Sequence, residues 1–344
     1  MTDLAIIADD LTGALDAAAP FAMRGLKTVV ALSPQALPEA LAAGASVVGV
    51  STDSREVDAN AARILVGAAV DGLGGTVRLF KKIDSRLKGN VAAELDMLDF
   101  ERALVVPAIP EFGRWMKGGR LGGFGVDTPI DVRERLGRHA ARAIVPDVSD
   151  RADIKAALDA APDALAVGAR ALADAIAGRM AQKAVQTGPA IAARRVIFIL
   201  GSRDPITLGQ IGRLRDAFSG AAYVAAPGGA VADDATAASD VVVIHATQGL
   251  EADDPMEVAR RLADGLAGAG PLDDTLVVLS GGATAQVVLE RLGIGLIEVL
   301  GEVLAGLPIA RASRFKLITK SGGFGEPDAL VRIVNRCIQA RGGS

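Results

Sequence analysis

Two series of short apolar segments alternate with Ala- and Leu-rich stretches along the chain. The first series is LAIIA (4–8), KTVVAL (27–32), SVVGV (46–50), TVRLF (76–80) and RALVVPA (102–108). The second is RVIFIL (195–200), AAYVAA (221–226), DVVVIHA (240–246), TLVVLS (275–280) and FKLITK (315–320). Continuous apolar strands with helices between them are typical of parallel sheets that are covered on both faces. The pattern predicts an α/β fold with two domains, each with a largely parallel sheet flanked by helices.

A linker is predicted between the two series. The segment 165–182 has the pattern of a strand end followed by a helix, and KAVQTGPAIAAR (183–194) contains the Gly-Pro pair typical of a connection. We therefore place the boundary near residue 190, which gives domains 1–190 and 191–344. A second irregular stretch, GRWMKGGRLGGFGVDTP (113–129), is glycine-rich without a period and predicts a long loop.

Composition excludes several classes of protein. A net charge of -4 gives no general attraction to nucleic acid or to an acidic membrane, so an anion has to be bound by a local group of cations. The one cysteine, Cys337, and two histidines, His139 and His245, argue against disulfides and against a Cys- or His-based metal site. These features predict a cytoplasmic protein that is neither exported nor embedded in a membrane.

Polar segments follow the predicted strands, where the ligands of open parallel sheets bind. In the first domain they are DDLTGALD (9–16), STDSR (51–55), KKIDSRLKGN (81–90) and PAIPEFGR (107–114). In the second domain they are GSRDPIT (201–207), SGGATA (280–285) and KSGGFG (320–325). We expect the functional residues in these seven segments.

The first domain has the residue types that bind an acid with hydroxyl groups. Asp9 and Asp10 are either first-turn residues that cap a helix or carboxylates that accept a substrate hydroxyl proton. Lys82, Ser85 and Arg55 are candidates to bind a carboxylate, and the planar guanidinium of Arg55 matches its two oxygens. The alternative for KKIDSRLKGN is a solvated turn.

The second domain has the residue types that bind phosphate. Gly201 and Ser202 precede a helix predicted to begin at Pro205 with Asp204 as its cap. Backbone amides at such a helix start favour an anion, and the SGGATA segment repeats the arrangement. Glycines in KSGGFG permit close approach of a nucleotide. Each turn alone could be only a tight connection.

Three common motifs are absent. No strand is followed by GxGxxG, the chain lacks GxxxxGK[ST], and it has no GxSxG element. Their absence argues against a Rossmann dehydrogenase, a P-loop NTPase and an α/β-hydrolase.

The seven polar segments, in this order, resemble the signature blocks of the four-carbon acid sugar kinase family. The resemblance implies an N-terminal domain that binds a tetronate-type acid sugar and a C-terminal domain that binds ATP with Mg²⁺. It implies transfer of the γ-phosphoryl group to the terminal hydroxyl of a sugar such as threonate, erythronate or a 3-oxo-tetronate. A homo-oligomer is compatible with this interpretation.

The resemblance also assigns residues. It implies substrate contacts at Asp9, Asp10, Arg55, Lys82, Ile83, Asp84, Ser85, Asn90 and Arg114. It implies nucleotide contacts at Ser202, Gly281, Gly282, Ala283, Thr284, Gly322 and Gly325. For the catalytic base we favour Asp10 over Asp84, and the metal ligands stay unassigned.

Some positions depart from the family pattern. Lys88 replaces the usual arginine, Ala283 replaces an acidic residue, and Trp115 and Met116 follow Arg114. These departures leave open a non-catalytic sensor that binds an acid sugar and a nucleotide. A nicotinamide-dependent oxidoreductase is a third hypothesis, which the missing GxGxxG disfavours.

Overall fold

The computed structural model describes residues 2–75, 77–181, 185, 189, 191–232, 239–249 and 254–342. The chain separates into two compact units, Met1–Gln186 and Thr187–Ser344, and each has its own largely parallel set of strands. The predicted fold class is confirmed. Half of the predicted linker (183, 184, 186–188 and 190) lies outside the described residues, as does Thr76 of the predicted fourth strand.

The described residues of the N-terminal unit form ten strands. They are β1 Leu4–Ala8, β2 Thr28–Ala31, β3 Val47–Ser51, β4 Arg78–Lys82, β5 Ala103–Val106, β6 Arg114–Lys117, β7 Arg120–Gly123, β8 Val126–Asp131, β9 Ala143–Ile144 and β10 Leu165–Gly168. Seven of them form a parallel sheet in the order β2-β3-β1-β4-β10-β5-β9. Every residue of β1 is buried, as expected for a central parallel strand.

Seven α-helices connect these strands in the part of the unit that the structure describes. They are α1 Leu11–Ala22, α2 Leu37–Ala42, α3 Ala59–Leu73, α4 Val91–Leu95, α5 Val132–Leu136, α6 Arg151–Ala160 and α7 Arg170–Met180. Short 3₁₀ turns occur at Pro34–Ala36, Pro110–Phe112 and Gly137–Arg142. Aspartate side chains cap the N-termini of several helices, and Asp150 forms a capping box with Asp153 at α6. These caps satisfy backbone N–H groups that a helix start leaves unpaired.

The prediction of a long loop at 113–129 was wrong. The segment forms β6, β7 and β8, a separate three-stranded antiparallel sheet. Gly118 and Gly119 both have positive φ (56° and 76°) and form the two-residue turn between β6 and β7. Such a pair favours a hairpin whose twist matches its strands. The glycines therefore make the turns of a sheet.

In the C-terminal unit, residues 191–232, 239–249 and 254–342 contain seven strands and four helices. They are β11 Arg195–Leu200, α8 Pro205–Ala217, β12 Ala222–Pro227, β13 Val241–Thr247, α9 Pro255–Ala267, β14 Thr275–Ser280, α10 Gly282–Arg291, β15 Leu296–Leu304, β16 Leu307–Ala312, β17 Phe315–Lys320 and α11 Ala329–Gly342. The strand order is β12-β13-β11-β14-β17-β16-β15. The first five strands in this order, β12 to β17, are parallel to one another. β16 is antiparallel to both of its neighbours, β15 and β17, and neither β15 nor β16 was predicted.

The core of the C-terminal unit joins its central strands to two helices. Phe198 of β11, Leu214 of α8 and Ile333 of α11 are fully buried in one apolar cluster. Asp204 caps α8 and Pro205 is its first residue, as the sequence predicted. This packing fixes the position at which α8 meets the segment after β11.

Strand order determines which polar segments meet. In the N-terminal unit β1 lies between β3 and β4, so the segments after these three strands share one edge of the sheet. In the C-terminal unit β14 lies between β11 and β17, which brings the three glycine turns together. Of the described helices, none has the length and apolar composition needed to cross a membrane.

Candidate functional site

Arg55 is the centre of a charged cluster at the carboxyl edge of the N-terminal sheet. It donates to Asp9 through Nε (2.7 Å) and Nη2 (2.9 Å). It donates to Asp10 through Nη1 (2.8 Å) and Nη2 (2.7 Å). We call Asp9, Asp10 and Arg55 the acid cluster. Four of the five N–H groups of the guanidinium are therefore bonded to carboxylates of the protein itself.

Asp10 is saturated with hydrogen bonds. Its Oδ1 accepts from the backbone N–H of Gly13 (2.8 Å) as well as from Arg55, and its Oδ2 accepts from Thr12 Oγ1 (2.6 Å) as well as from Arg55. Asp10 is the N-cap of α1, so the helix-cap alternative is confirmed. A further hydrogen bond to this carboxylate requires the loss of an existing one, because each oxygen already accepts two.

Asp9 and Arg55 stabilise each other's charge. Asp9 is only 2% exposed, and this burial alone raises the pKa of its carboxyl. Arg55, with smaller effects from Lys82 and Lys81, nevertheless holds the pKa of Asp9 below its usual value. Burial likewise disfavours the charge of Arg55, but Asp9 and Asp10 raise the pKa of the guanidinium above its usual range. The pair is charged at neutral pH.

Asp84 differs from Asp10 in having an open oxygen. Its Oδ1 accepts from the backbone N–H groups of Arg86 (2.9 Å) and Lys88 (3.3 Å). Its Oδ2 lies 4.0 Å from Arg55 Nη1 and accepts no hydrogen bond from the described residues. Of the two predicted catalytic carboxylates, Asp84 is therefore the one that can accept a proton without the loss of a hydrogen bond.

Lys82 presents an ammonium group with unused donors. The side chain is buried, and Nζ donates to the carbonyl oxygen of Ile83 (2.9 Å). A Cβ placed on Gly13 would lie 2.8 Å from Lys82 Nζ, so the ammonium lies against the first turn of α1. Its two other N–H groups have no partner among the described residues. Lys82 is thus available to bind an anion.

Ser85 and Arg114 meet through the small sheet. Arg114, the first residue of β6, donates from Nη1 to Ser85 Oγ (2.6 Å) and from Nε and Nη2 to the carbonyl of Phe124. Burial and the neighbouring Arg86 lower the pKa of Arg114. The contact brings the third and fourth predicted segments of this unit together.

Ile83 and Asn90 donate hydrogen bonds to backbone carbonyls and not to the charged side chains of the acid cluster. The side chain of Ile83 is buried, and its backbone N–H donates to Gly168 O (3.0 Å). Asn90 Nδ2 donates to the carbonyls of Ser54 (2.9 Å) and Val57 (2.7 Å). Asn90 therefore holds the segment that carries Arg55.

A buried ion pair below the acid cluster was missed by the sequence analysis. Lys81 Nζ lies 2.8 Å from Glu94 Oε2, and both side chains are at most 1% exposed. Glu94 Oε1 accepts from Ser54 Oγ (2.5 Å), and Ser54 Oγ lies 2.7 Å from Thr52 Oγ1. The available signal was a charged residue inside a buried strand, because such a residue needs a partner.

The first two glycine turns of the C-terminal unit are packed against each other. A Cβ on Gly201 would overlap Thr284 Oγ1, and a Cβ on Gly281 would lie 3.3 Å from the same atom. Gly281, with φ +108°, is the N-cap of α10 and has no side-chain cap. The first-turn amides, which include those of Gly282 and Ala283, are therefore available to an anion.

The third glycine turn contacts the first. A Cβ on Gly322 would overlap Ser202 Oγ, and a Cβ on Gly323 would lie 2.9 Å from Asp204 Oδ2. Gly325 has φ +94°, a conformation that favours glycine. The structure thus brings Ser202, Gly281–Thr284 and the 322–325 turn to one edge.

The described residues contain no group of three or more His, Cys, Asp or Glu side chains arranged to bind a metal ion. Mg²⁺ in phosphoryl-transfer sites is bound by phosphate oxygens and only one or two carboxylates. Asp204, beside the third turn, fits that requirement.

Comparisons with known proteins agree with this division of sites. Residues 4–129 match a family model described as a sugar-binding N-terminal domain, and residues 197–330 match a nucleotide-binding C-terminal domain. The chain is 31% identical to a D-threonate kinase of Cupriavidus necator, over 94% of this chain and 95% of that protein. The chain belongs to the four-carbon acid sugar kinase family. The predicted family is confirmed.

Two further proteins are similar to this chain over almost their whole length. A D-threonate kinase of Bordetella bronchiseptica is 29% identical and the match covers 96% of each chain. The crystal structure of Haemophilus influenzae protein HI1011 has a TM-score of 0.68 at 21% identity, over 97% of this chain and 100% of that one. The latter shows a shared fold.

Proposed function

We propose that this protein is an ATP- and Mg²⁺-dependent kinase of a four-carbon acid sugar of the threonate, erythronate or 3-oxo-tetronate type. The observation that carries the proposal is the separation of two polar clusters, one in each family-matched segment. The N-terminal cluster combines carboxylates with a buried ammonium, and the C-terminal cluster consists of glycine turns. The names of the two relatives support a tetronate substrate. Cys337, the one cysteine of the sequence, is buried, which fits a cytoplasmic enzyme.

On the sugar side, hydrogen bonding supports a division of roles different from the one predicted. Lys82 has two unused N–H groups and binds the substrate carboxylate, a role for which the sequence offered Lys82, Ser85 and Arg55. Asp84 has an open oxygen and accepts the proton of the terminal hydroxyl, whereas we favoured Asp10 from the sequence. Arg55 holds Asp9 and Asp10 in place, and Ser85 and Arg114 also contact the sugar.

On the nucleotide side, amides of Ser202, Gly281–Thr284 and the 322–325 turn bind the phosphates. Asp204 is the protein carboxylate available to Mg²⁺, which neutralises charge on the phosphates when bound. Steric contacts explain why glycine occupies two positions at this edge. A side chain at Gly201 would overlap Thr284, and one at Gly322 would overlap Ser202.

A coupled ADP-release assay tests the proposal. The panel comprises D-threonate, D-erythronate, 3-oxo-tetronates and longer aldonates, with a tetritol as the control without a carboxylate. We expect turnover with at least one tetronate and little with the tetritol. Gly282→Val should weaken nucleotide binding and leave acid-sugar binding intact. Loss of acid-sugar binding with unchanged nucleotide affinity would mean that the two sites are assigned to the wrong units.

A non-catalytic sensor is the second candidate, and Ala283 is the observation that favours it. Ala283 is exposed in the first turn of α10, where the family pattern has an acidic residue. Trp115 and Met116 give the sensor no further support, because Met116 is buried in the small sheet and Trp115 packs across it on Gly122. Binding of a tetronate and ATP without ADP release would favour the sensor.

A further inference from the structure

Lys320 is a buried cation that binds backbone oxygens instead of a carboxylate. It ends β17, is 1% exposed, and makes no ion pair with the described residues. Its Nζ donates to the carbonyls of Ser321 (3.0 Å), Gly322 (2.9 Å) and Phe324 (3.0 Å) and to Thr207 Oγ1 (3.2 Å). We call residues 321–325 the nucleotide loop. One ammonium thus gathers three carbonyls of this loop.

Two side chains of α8 bind carbonyls of the same segment. Thr207 Oγ1 donates to Gly322 O (2.7 Å). Gln210 Nε2 donates to Glu326 O (2.9 Å) and makes longer contacts with the carbonyls of Phe324 (3.3 Å) and Gly325 (3.2 Å). The carbonyls of residues 321, 322, 324 and 325 therefore face buried side chains of the C-terminal unit.

The amide groups of the nucleotide loop face the other way. In a planar trans peptide the C=O of one residue and the N–H of the next point in opposite directions. With the carbonyls of residues 321, 322 and 324 bound to Lys320, the N–H groups of Gly322, Gly323 and Gly325 point away from it. Within the described part of the chain, these three N–H groups have no hydrogen-bond partner.

We propose that Lys320 is a positioning residue that orients the amides of the nucleotide loop toward the phosphates of the nucleotide. This inference rests on the proposed kinase function and assigns a role to a residue that does not itself touch the ligand. The ammonium of Lys320 holds the carbonyl side of the loop, and the phosphates complete the amide side. Loss of its charge therefore weakens nucleotide binding and leaves acid-sugar binding unchanged.

The protonation of Lys320 makes the proposal testable in the unmodified protein. Burial lowers the pKa of Lys320 to about 8, and Asp204 at the start of α8 offsets part of this effect. Glu326 contributes its backbone carbonyl to Gln210, and the strand β14 places the uncharged Ser280 opposite Lys320. The ammonium is present below pH 8 and lost above it, so nucleotide affinity should fall as the pH rises through 8.

The experiment is calorimetric titration of the full chain with ADP between pH 7 and 9.5, where a phosphate with a second pKa of about 6 is largely ionised. We expect the Kd of the wild type to rise about 10-fold or more across pH 8. Lys320→Met should bind ADP about 10- to 100-fold more weakly at pH 7 and show no such rise. Lys320→Arg keeps its charge and should also be insensitive to this pH range. The control Lys316→Met, on the same strand, should keep the wild-type profile.

Three results would overturn the inference. The first is a pH-independent Kd in the wild type, and the second is a Lys320→Met variant with wild-type ADP affinity. The third is an equal loss of D-threonate and ADP affinity, which would show a general structural role. If Lys320→Met does not fold, the inference is tested by the wild-type pH profile and by the ADP affinity of Thr207→Val. This variant lacks the hydroxyl that donates to Gly322 O. A wild type that binds D-threonate but no ADP at any pH would overturn the proposed kinase function together with the inference.

Discussion

Arg55 is bonded to two aspartates of its own protein, and this determines what a substitution at residue 55 can do. A lysine there keeps one positive charge but loses the planar fork that contacts both Asp9 and Asp10. The two carboxylates, one of them 2% exposed, then lose hydrogen-bond donors. The effect should reach every substrate that the cluster orients.

We therefore expect Arg55→Lys to lower kcat/KM about 10- to 150-fold for a tetronate and for the matching tetritol alike. Both substrates are to be measured on the wild type and the variant. A loss confined to the tetronate would show instead that Arg55 reads the substrate carboxylate, as the sequence first suggested.

Unlike Arg55→Lys, Lys82→Met should affect the tetronate much more than the tetritol. Removal of the ammonium eliminates the two unused donors, so kcat/KM for the tetronate should fall about 10- to 150-fold while the tetritol is little affected. Lys88→Met is the matched control, because Lys88 is an exposed lysine of the same segment. Equal losses in the two variants would indicate a general charge effect.

The two candidate bases are separated by their effects on kcat. Asp84→Asn removes the open carboxylate oxygen and should lower kcat by about 10²-fold or more at saturating substrate. Asp10→Asn should keep the cap of α1, because asparagine caps as well as aspartate, and should act mainly on stability through the weakened hydrogen bonds with Arg55, by about 1 kcal/mol or more. Steady-state kinetics with urea unfolding of both variants checks this. A larger loss of kcat in Asp10→Asn would restore Asp10 as the base.

The sequence predicted which residues meet but not how they pair. The polar segments after parallel strands had to share an edge, and this placed Asp9, Asp10, Arg55 and Lys82 correctly. The pairing of Arg55 with Asp9 and Asp10 depends on β1 lying between β3 and β4. Strand order is not encoded in periodicity, so the unused donors of Lys82 could be identified only in the structure.

At the level of elements, the pair Lys81–Glu94 connects the end of β4 to α4 below the acid cluster. Breaking a buried pair leaves one charge without a partner, whereas replacing both partners can be neutral. Glu94→Gln should therefore lower the free energy of unfolding by about 3–5 kcal/mol. The measurement is urea unfolding at pH 7.

The control for this pair is the double variant Lys81→Met/Glu94→Leu. It removes both charges and should recover most of the stability lost in Glu94→Gln. A double variant less stable than Glu94→Gln would mean that the contacts of Lys81 with the carbonyls of Ile7 and Lys82 matter more than the ion pair.

Strands were easier to predict than hairpins. All ten predicted strands occur, since apolar runs flanked by polar segments are distinctive in parallel sheets. The prediction for segment 113–129 failed because its strands are short, partly exposed and glycine-rich. The alternation of apolar and polar residues is therefore weak. The positive φ of Gly118 and Gly119 is a property of the turn that composition alone does not reveal.

At the level of the whole molecule, the two family-matched segments predict two independent patterns of ligand protection. D-threonate should slow amide exchange in residues 9–16, 52–55 and 82–90, and ADP should slow exchange in 201–207, 281–285 and 321–325. Hydrogen exchange followed by mass spectrometry on the full chain measures both. Protection of the N-terminal segments by ADP alone would contradict the division of sites.

The small sheet β6–β8 has a consequence for how relatives diverge. It is hydrogen-bonded as a sheet of its own, with an isolated bridge from Met116 to Val148, and it contacts the substrate-side segment through Arg114 and Ser85. Hairpins of this kind can lengthen, shorten or change sequence while the register of the parallel strands is preserved. Under the proposed function, changes confined to this small sheet can alter the contacts to the sugar and leave the strand order of the parallel sheet unchanged.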